Sequence, residues 1–172
     1  IDQEMDTGAV ADIESVKIEK SDSASSVRVK IGEATVPILE RSMIPLMKNE
    51  LKFNPQNEAL VSHCRKLAKE DGMIDFELSA VDIYNRWRAF KTWPNSFCFH
   101  EENRIKVGRL EVSEDTSAKN ISSLPYGSVI LEKDKLRVTT SSGLLRIFEL
   151  QRAGGKMLPV SDFLRGYTIS DG

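Results

Sequence analysis

The spacing of apolar positions changes character midway along the chain. Val10, Ile13, Val16 and Ile18 follow an Asp-Thr-Gly turn and predict an extended run. "SDSAS" (21–25) then offers several helix N-caps. Beyond it Val27, Ile31, Ala34 and Ile38 recur at the spacing of one face of an amphipathic helix. Pro37 lacks the N–H that the helical ladder needs, so a kink or a break is expected there, and Pro45 stands near the end. "KNELKFNPQNE" (48–58) is polar and reads as a linker, and residues 58–69 read as a short helical piece. "DGMIDF" (71–76) supplies a turn and an apolar anchor. Ser79 and Asp82 form an S-x-x-D start that places the first helical residue at Ala80. Ile83, Trp87 and Phe90 share a face of that helix, and Arg88, about 140° from Ile83, points away from it. Pro94 disfavours helical geometry in the residue before it, so the helix ends near Thr92–Trp93.

From residue 96 the period becomes that of strands. "SFCF", "RIKVGRLEV", "GSVILE", "KLRVTTS" and "LLRIFELQ" are short and rich in β-formers, and "HEEN", "SLPYG", "EKD" and "SSG" punctuate them. The pattern predicts a small sheet closing on itself as a barrel or sandwich. Alternation along a strand puts Arg104, Lys106 and Gly108 on one side and Ile105, Val107 and Arg109 on the other, which makes Lys106 the better surface residue. "PVSDFLRG" adds a closing helical turn. The front is α/β, the back mostly β: two domains, the first incomplete.

Charge divides the chain in the same way. The 172 residues carry 24 Lys and Arg against 26 Asp and Glu, net −2, so no global basic footprint marks a nucleic-acid binder. Residues 1–40 hold nine acids and four bases, whereas residues 84–110 hold six bases and two acids. An acidic front and a basic middle are hidden in the average. No apolar run approaches the roughly 18 residues of a membrane span, and no signal peptide is seen. A soluble, reducing compartment is expected. The chain opens "IDQEMDTG", without a methionine, and reads as if cut from a longer protein.

Few residues carry chemistry by themselves. Cys64 and Cys98 form neither a disulfide framework nor a C-x-x-C pair, and His63 and His100 lack further ligands at metal-binding spacing, so no metal is expected. "DTGA" (6–9) matches the active-site string of aspartic proteases. Here it follows polar, acidic residues, and no second D-[TS]-G exists for a dyad, which leaves an ordinary turn as the plain reading. In "NRWRAFKTWP" (85–94) two tryptophans lie among cations. Trp87 and Phe90 are expected in the core and Trp93-Pro94 at a rigid corner.

Taken together, "MDTGAV", "PQNEALVSHCRKLAKEDGMIDF", "SAVDIYNRWRAFKTWP", "GLLRIFELQRAGGKM" and "DFLRG" resemble methionyl-tRNA formyltransferases, in their order and approximate spacing, from about residue 1 to 166. Relatives such as formyltetrahydrofolate dehydrogenases and sugar-nucleotide formyltransferases share the C-terminal domain, so the domain type is firmer than the substrate. Two departures stand out: Phe76 replaces the usual Trp of "IDW", and Gly154-Gly155-Lys156 replaces a frequent G-K-K.

The resemblance implies an α+β chain: the end of an α/β (Rossmann-like) catalytic domain (1–48), a linker (49–75) and an OB-like open β-barrel (76–172). It implies formyl transfer from 10-formyltetrahydrofolate to the amino group of methionyl initiator tRNA in translation initiation. An Asn-His-Asp constellation would serve that reaction. Its Asp maps to Asp6, and its Asn and His would lie upstream of Ile1 with most of the folate pocket. The barrel would help hold the tRNA, with Arg88, Lys91, Arg104, Lys106, Lys133, Lys135 and Lys156 as candidate contacts. No metal and no membrane are implied. A monomer in the cytoplasm, or in an organelle matrix, is expected. Two alternatives stay open: a stand-alone OB-like RNA-binding module without catalysis, and a fragment of a sugar-nucleotide formyltransferase.

Overall fold

Ser23 starts the first helix, α1 (Ala24–Met47), by a reciprocal pair: its hydroxyl accepts from the Ser26 N–H, and Ser26 Oγ accepts from the Ser23 N–H. The computed structural model describes residues 5–115, 123–133 and 135–169. Asp2 and Glu4 of the acidic front and Asp134 of the "EKD" turn lie outside them.

The chain divides into two compact units, Ile1–Lys66 and Leu67–Gly172. In the first, α1 continues through both Pro37 and Pro45, so the expected break is not found. Each proline removes one ladder bond, and the bonds on either side keep the helical path. The extended run beside α1 forms no strand; only Val10 makes a bridge, exchanging backbone bonds of 2.8 and 2.9 Å with Asn54. The run is fixed to α1 by polar contacts. Arg41 donates to Asp12, Glu14 and the Ile13 carbonyl, Ser42 donates to Asp12, and Lys30 donates to Asp22 and the Lys17 carbonyl. Val27, Ala34 and Ile38 are half-buried, but Ile31 is exposed and α1 buries no residue fully. The helix predicted over 58–69 reduces to a 3₁₀ turn at Glu58–Leu60, without regular structure from there to Ala68.

The second unit begins with a 3₁₀ turn (Lys69–Gly72) and α2 (Ala80–Phe90), whose N-cap Ser79 accepts from the Asp82 N–H as the S-x-x-D start predicts. The strands follow: β1 (Ser96–His100), β2 (Asn103–Val112), β3 (Val129–Glu132), β4 (Lys135–Thr139), β5 (Leu144–Arg152) and β6 (Leu158–Pro159), then α3 (Val160–Gly166). All pairs are antiparallel, in the order β1-β2-β5-β4-β3, with β6 on the far end of β5. Among the described residues no ladder joins β1 to β3. The sheet is open rather than closed on itself, and the fold is α+β. Ala80, Ile83 and Trp87 of α2 join Ile105, Val107, Leu110, Leu136, Leu145, Ile147 and Leu150 of the sheet, with Val160 and Phe163 of α3, in one apolar core.

One local expectation fails for a clear reason. Arg109 does not share the inward side with Ile105 and Val107. Pairing runs from Val107↔Leu150 to Arg109↔Glu149 to Leu110↔Ile147, so Gly108 is an extra residue on β2 and Phe148 one on β5. A bulge reverses the alternation. Leu110 therefore turns inward at 0% exposure, and Arg109 stays in solvent, paired with Glu111.

Candidate functional site

Lys69, Trp93, Arg104, Lys106 and Arg152 line one open groove of about 390 Å³ in the second unit. Local sequence sets each of them there. The turn Lys69–Gly72 is tied to β1 by the Ile74 N–H, which donates to the Phe97 carbonyl at 2.8 Å. Trp93 and Pro94 form the corner between α2 and β1: Pro94 is buried and the Trp93 side chain is left 49% exposed. Lys106 lies opposite Phe97 on β1 and Gln151 on β5, which directs all three to one face of the sheet. Gln151 Nε2 donates to the Gly155 carbonyl at 2.7 Å and holds the turn after β5, whose Ala153 and Gly154 form part of the wall.

The electrostatics are one-sided. No carboxylate lines the groove, and among the described residues none of its four cations makes a salt bridge. Two of the cations rest on aromatic faces, Arg104 at 3.7 Å from the Phe97 ring centroid and Arg152 at 4.9 Å from that of Tyr167. A second basin is lined by Lys135, Arg137 and Arg146 but also by Glu111, Glu114 and Asp115, so its charge is largely compensated. There Arg137, 2% exposed, pairs with Glu132 and Asp115.

The seven cations singled out in the sequence are thus dispersed. Arg104 and Lys106 meet in the groove. Lys91 stands over the Trp87 ring at 5.4 Å, and half-buried Arg88 donates through Nε to Asn85. Lys133 is exposed in the β3–β4 turn at φ 53°. Lys135 belongs to the second basin. Lys156 lines a hollow with Leu158, Phe163 and Tyr167 that adjoins the groove through Arg152. Sequence reasoning missed Lys69, Arg152 and the exposure of Trp93. The β2–β5 register gave no such signal: it sets Arg152 opposite Ile105, on the other side of the alternation from Arg104 and Lys106, and Arg152 reaches the groove as the last residue of β5.

Asp6 belongs to the first unit. It is exposed, in a turn, at φ 63°, and its carbonyl accepts from Gln56 Nε2 at 2.8 Å, as does that of Gly8. Both cysteines are free thiols, and burial pushes the Cys98 thiol up to about 11. His63 is exposed, and His100 Nδ1 is hydrogen-bonded to Tyr167 Oη at 2.8 Å. Among the described residues no group of three His, Cys, Asp or Glu side chains is placed to hold a metal ion, and no helix is long and apolar enough to cross a membrane.

Residues 66–168 match the family model of the formyl transferase C-terminal domain. The methionyl-tRNA formyltransferase of Caldicellulosiruptor saccharolyticus is 28% identical over 175 aligned residues, covering 100% of this chain and 54% of that protein. That of Brucella ovis is 30% identical, covering 99% and 54%. The chain therefore spans about half the length of these relatives. Among solved structures, HypX from Aquifex aeolicus in complex with tetrahydrofolic acid shares the fold at TM-score 0.63 and 17% identity, over 95% of this chain and 28% of that one. The N-formyltransferase from Helicobacter canadensis does so at TM-score 0.64 and 16% identity, over 88% and 53%. By the match to its C-terminal domain, and by alignment along its whole length with proteins named methionyl-tRNA formyltransferase, this chain belongs to the formyltransferase family as a C-terminal part.

Proposed function

We propose that the complete protein transfers the formyl group of 10-formyltetrahydrofolate to the amino group of methionine on initiator tRNA, and that this chain supplies mainly the hold on the tRNA. The carrying observation is the groove of Lys69, Arg104, Lys106 and Arg152, which has no carboxylate in its lining. A polyanion gains most of its affinity by releasing counterions to such cations. In the transfer the amine attacks the formyl carbon, the amine nitrogen loses a proton, and the departing folate nitrogen takes one up. A carboxylate at Asp6, working with an imidazole and an amide outside this chain, would order these proton movements and hold the oxyanion. The assignment of residues 1–48 to the catalytic domain, 49–75 to a linker and 76–172 to an OB-like open barrel belongs to the same reading. So does a monomer acting in the cytoplasm or an organelle matrix.

A salt titration of tRNA binding by fluorescence anisotropy tests it. Each neutralised phosphate contributes roughly −0.7 to −0.9 to the slope of log K against log salt, so four cations give about −2.8 to −3.6. Lys106→Ala should reduce that slope by about one contact. A slope near zero would refute the nucleic-acid reading. A second reading, formyl transfer to a nucleotide-linked amino sugar, draws on structural neighbours such as WlaRD, a sugar 3N-formyl transferase, which shares the fold at TM-score 0.63 and 16% identity. Assaying the complete protein with both acceptors separates the two.

A further inference from the structure

We infer that the groove takes one unpaired nucleotide of an RNA strand, its base stacked on Trp93 and its flanking phosphates held by Lys69, Arg104, Lys106 and Arg152. The inference rests on the nucleic-acid reading above and adds what those cations do not imply: a preference for single strand over duplex.

The indole carries the argument. A tryptophan is usually mostly covered in a folded domain, because its large apolar surface gains by burial. Trp87, six residues earlier, behaves that way at 8% exposure. Trp93 does not: it is 49% exposed, and it stands in the wall of the groove with the four cations. Phosphates alone have no use for an apolar plane. A base does, since every base has a π-face and stacking on an aromatic ring tolerates any sequence. In a duplex that face is already stacked on its neighbours, and A-form RNA offers protein side chains mainly backbone and 2′-hydroxyls. An exposed ring among unpaired cations is the combination that binds splayed single-stranded bases.

The groove is also prepared for a ligand. At about 390 Å³ it is within the roughly 300–1,000 Å³ of small-molecule sites. Arg104 lies on Phe97 and Arg152 on Tyr167, so these guanidiniums have less freedom to lose when a phosphate arrives. Gln151 already donates an amide N–H to the Gly155 carbonyl, which holds the turn whose Ala153 and Gly154 line the groove.

The 172-residue chain holds two tryptophans, and only Trp93 lines the groove, which makes the test direct. The chain would be titrated with an unstructured RNA strand of about ten nucleotides, in the range of single-strand site sizes, and with a duplex of that length. Tryptophan emission and the anisotropy of labelled RNA would both be followed. The single strand should quench emission saturably, and Trp93→Phe should abolish the quench while keeping most of the affinity. Trp93→Ala should weaken single-strand binding by about 5- to 150-fold, the effect of losing one stacked base, with the salt slope unchanged and duplex binding unmoved. Emission from buried Trp87 reports that each variant is folded. If Trp93→Ala binds single strand as well as the parent while Lys106→Ala still lowers the salt slope, the stacking site is refuted and the phosphate reading survives. If Trp93→Ala weakens duplex and single strand equally, the strand preference is refuted. If neither strand binds, both readings fall together.

Discussion

A Cβ atom on Gly72 would stand 2.0 Å from the carbonyl oxygen of Asn95. The turn that carries Lys69 is therefore in backbone contact with the corner that carries Trp93, and only the missing side chain permits it. The opposing atom is main chain, so it cannot rotate away. Gly72→Ala should destabilise the second unit by about 1–3 kcal/mol, as overpacked positions do. It should also weaken RNA binding, because Lys69 and Trp93 separate. Chemical denaturation followed by tryptophan fluorescence checks the first effect. An unchanged midpoint would show that the two segments are not tightly held.

Trp87 anchors α2 to the sheet. Its ring lies at 5.7 Å from that of Tyr84 and belongs to the core with Ile83, Ile105 and Val107. Trp87→Ala should cost about 3–5 kcal/mol in chemical denaturation, from lost burial and the cavity left behind. A loss below about 1 kcal/mol would mean that α2 is held by other contacts.

The second unit was legible in the sequence because its signals are local and agree. Ser79 capped α2 where expected, and each of five β-rich runs became a strand, since period-two patterns bounded by Gly, Pro and Asn turns leave few alternatives. Closure was not legible. It depends on whether β1 and β3 meet, and no residue encodes that meeting by itself. The Gly108 bulge was hidden for a related reason: a strand shows its alternation, but a slip appears only against its partner. In the groove, Arg104 and Lys106 were found because they lie two apart on one strand, whereas Lys69 and Arg152 come from distant segments. Residues 58–69 misled because helical spacing without enough burial does not hold a helix.

Asp22 gives the first unit an acid sensitivity of known sign. Lys30 donates to its carboxylate, as do the Glu19 N–H at 2.7 Å and Ser26 Oγ at 2.9 Å, and these bonds hold its pKa at about 2 against an ordinary 3.8. A carboxyl lowered in the folded state stabilises above its unfolded pKa, and that contribution is lost as pH falls through the folded one. Helical circular dichroism, to which the 24-residue α1 contributes, should therefore decline between about pH 4 and 2. Asp22→Asn should lower the signal near neutrality and flatten that decline. Asp12, held well below the usual carboxylate range by Arg41 and Ser42, should add its own loss further into acid. An identical profile in Asp22→Asn would sink the assignment.

Asp6 can be tested because its backbone and its carboxylate do different things. The backbone sits at φ 63°, a left-handed conformation that Asp and Asn tolerate better than most residues. The contact fixing the turn is made by its carbonyl, which accepts from Gln56 Nε2 at 2.8 Å, and not by the side chain. Asp6→Asn therefore keeps the turn and removes only the group able to take a proton. In the complete protein we expect kcat for formyl transfer to fall by about 10²–10⁴, the usual contribution of a positioned acid or base, with tRNA affinity little changed. Steady-state kinetics with charged initiator tRNA separate the two parameters. A rise in KM at constant kcat would instead make Asp6 a binding residue. If kcat stays near the parent value with KM unchanged, the proton has another acceptor, and the D-T-G string at 6–8 is only the turn that its backbone forms.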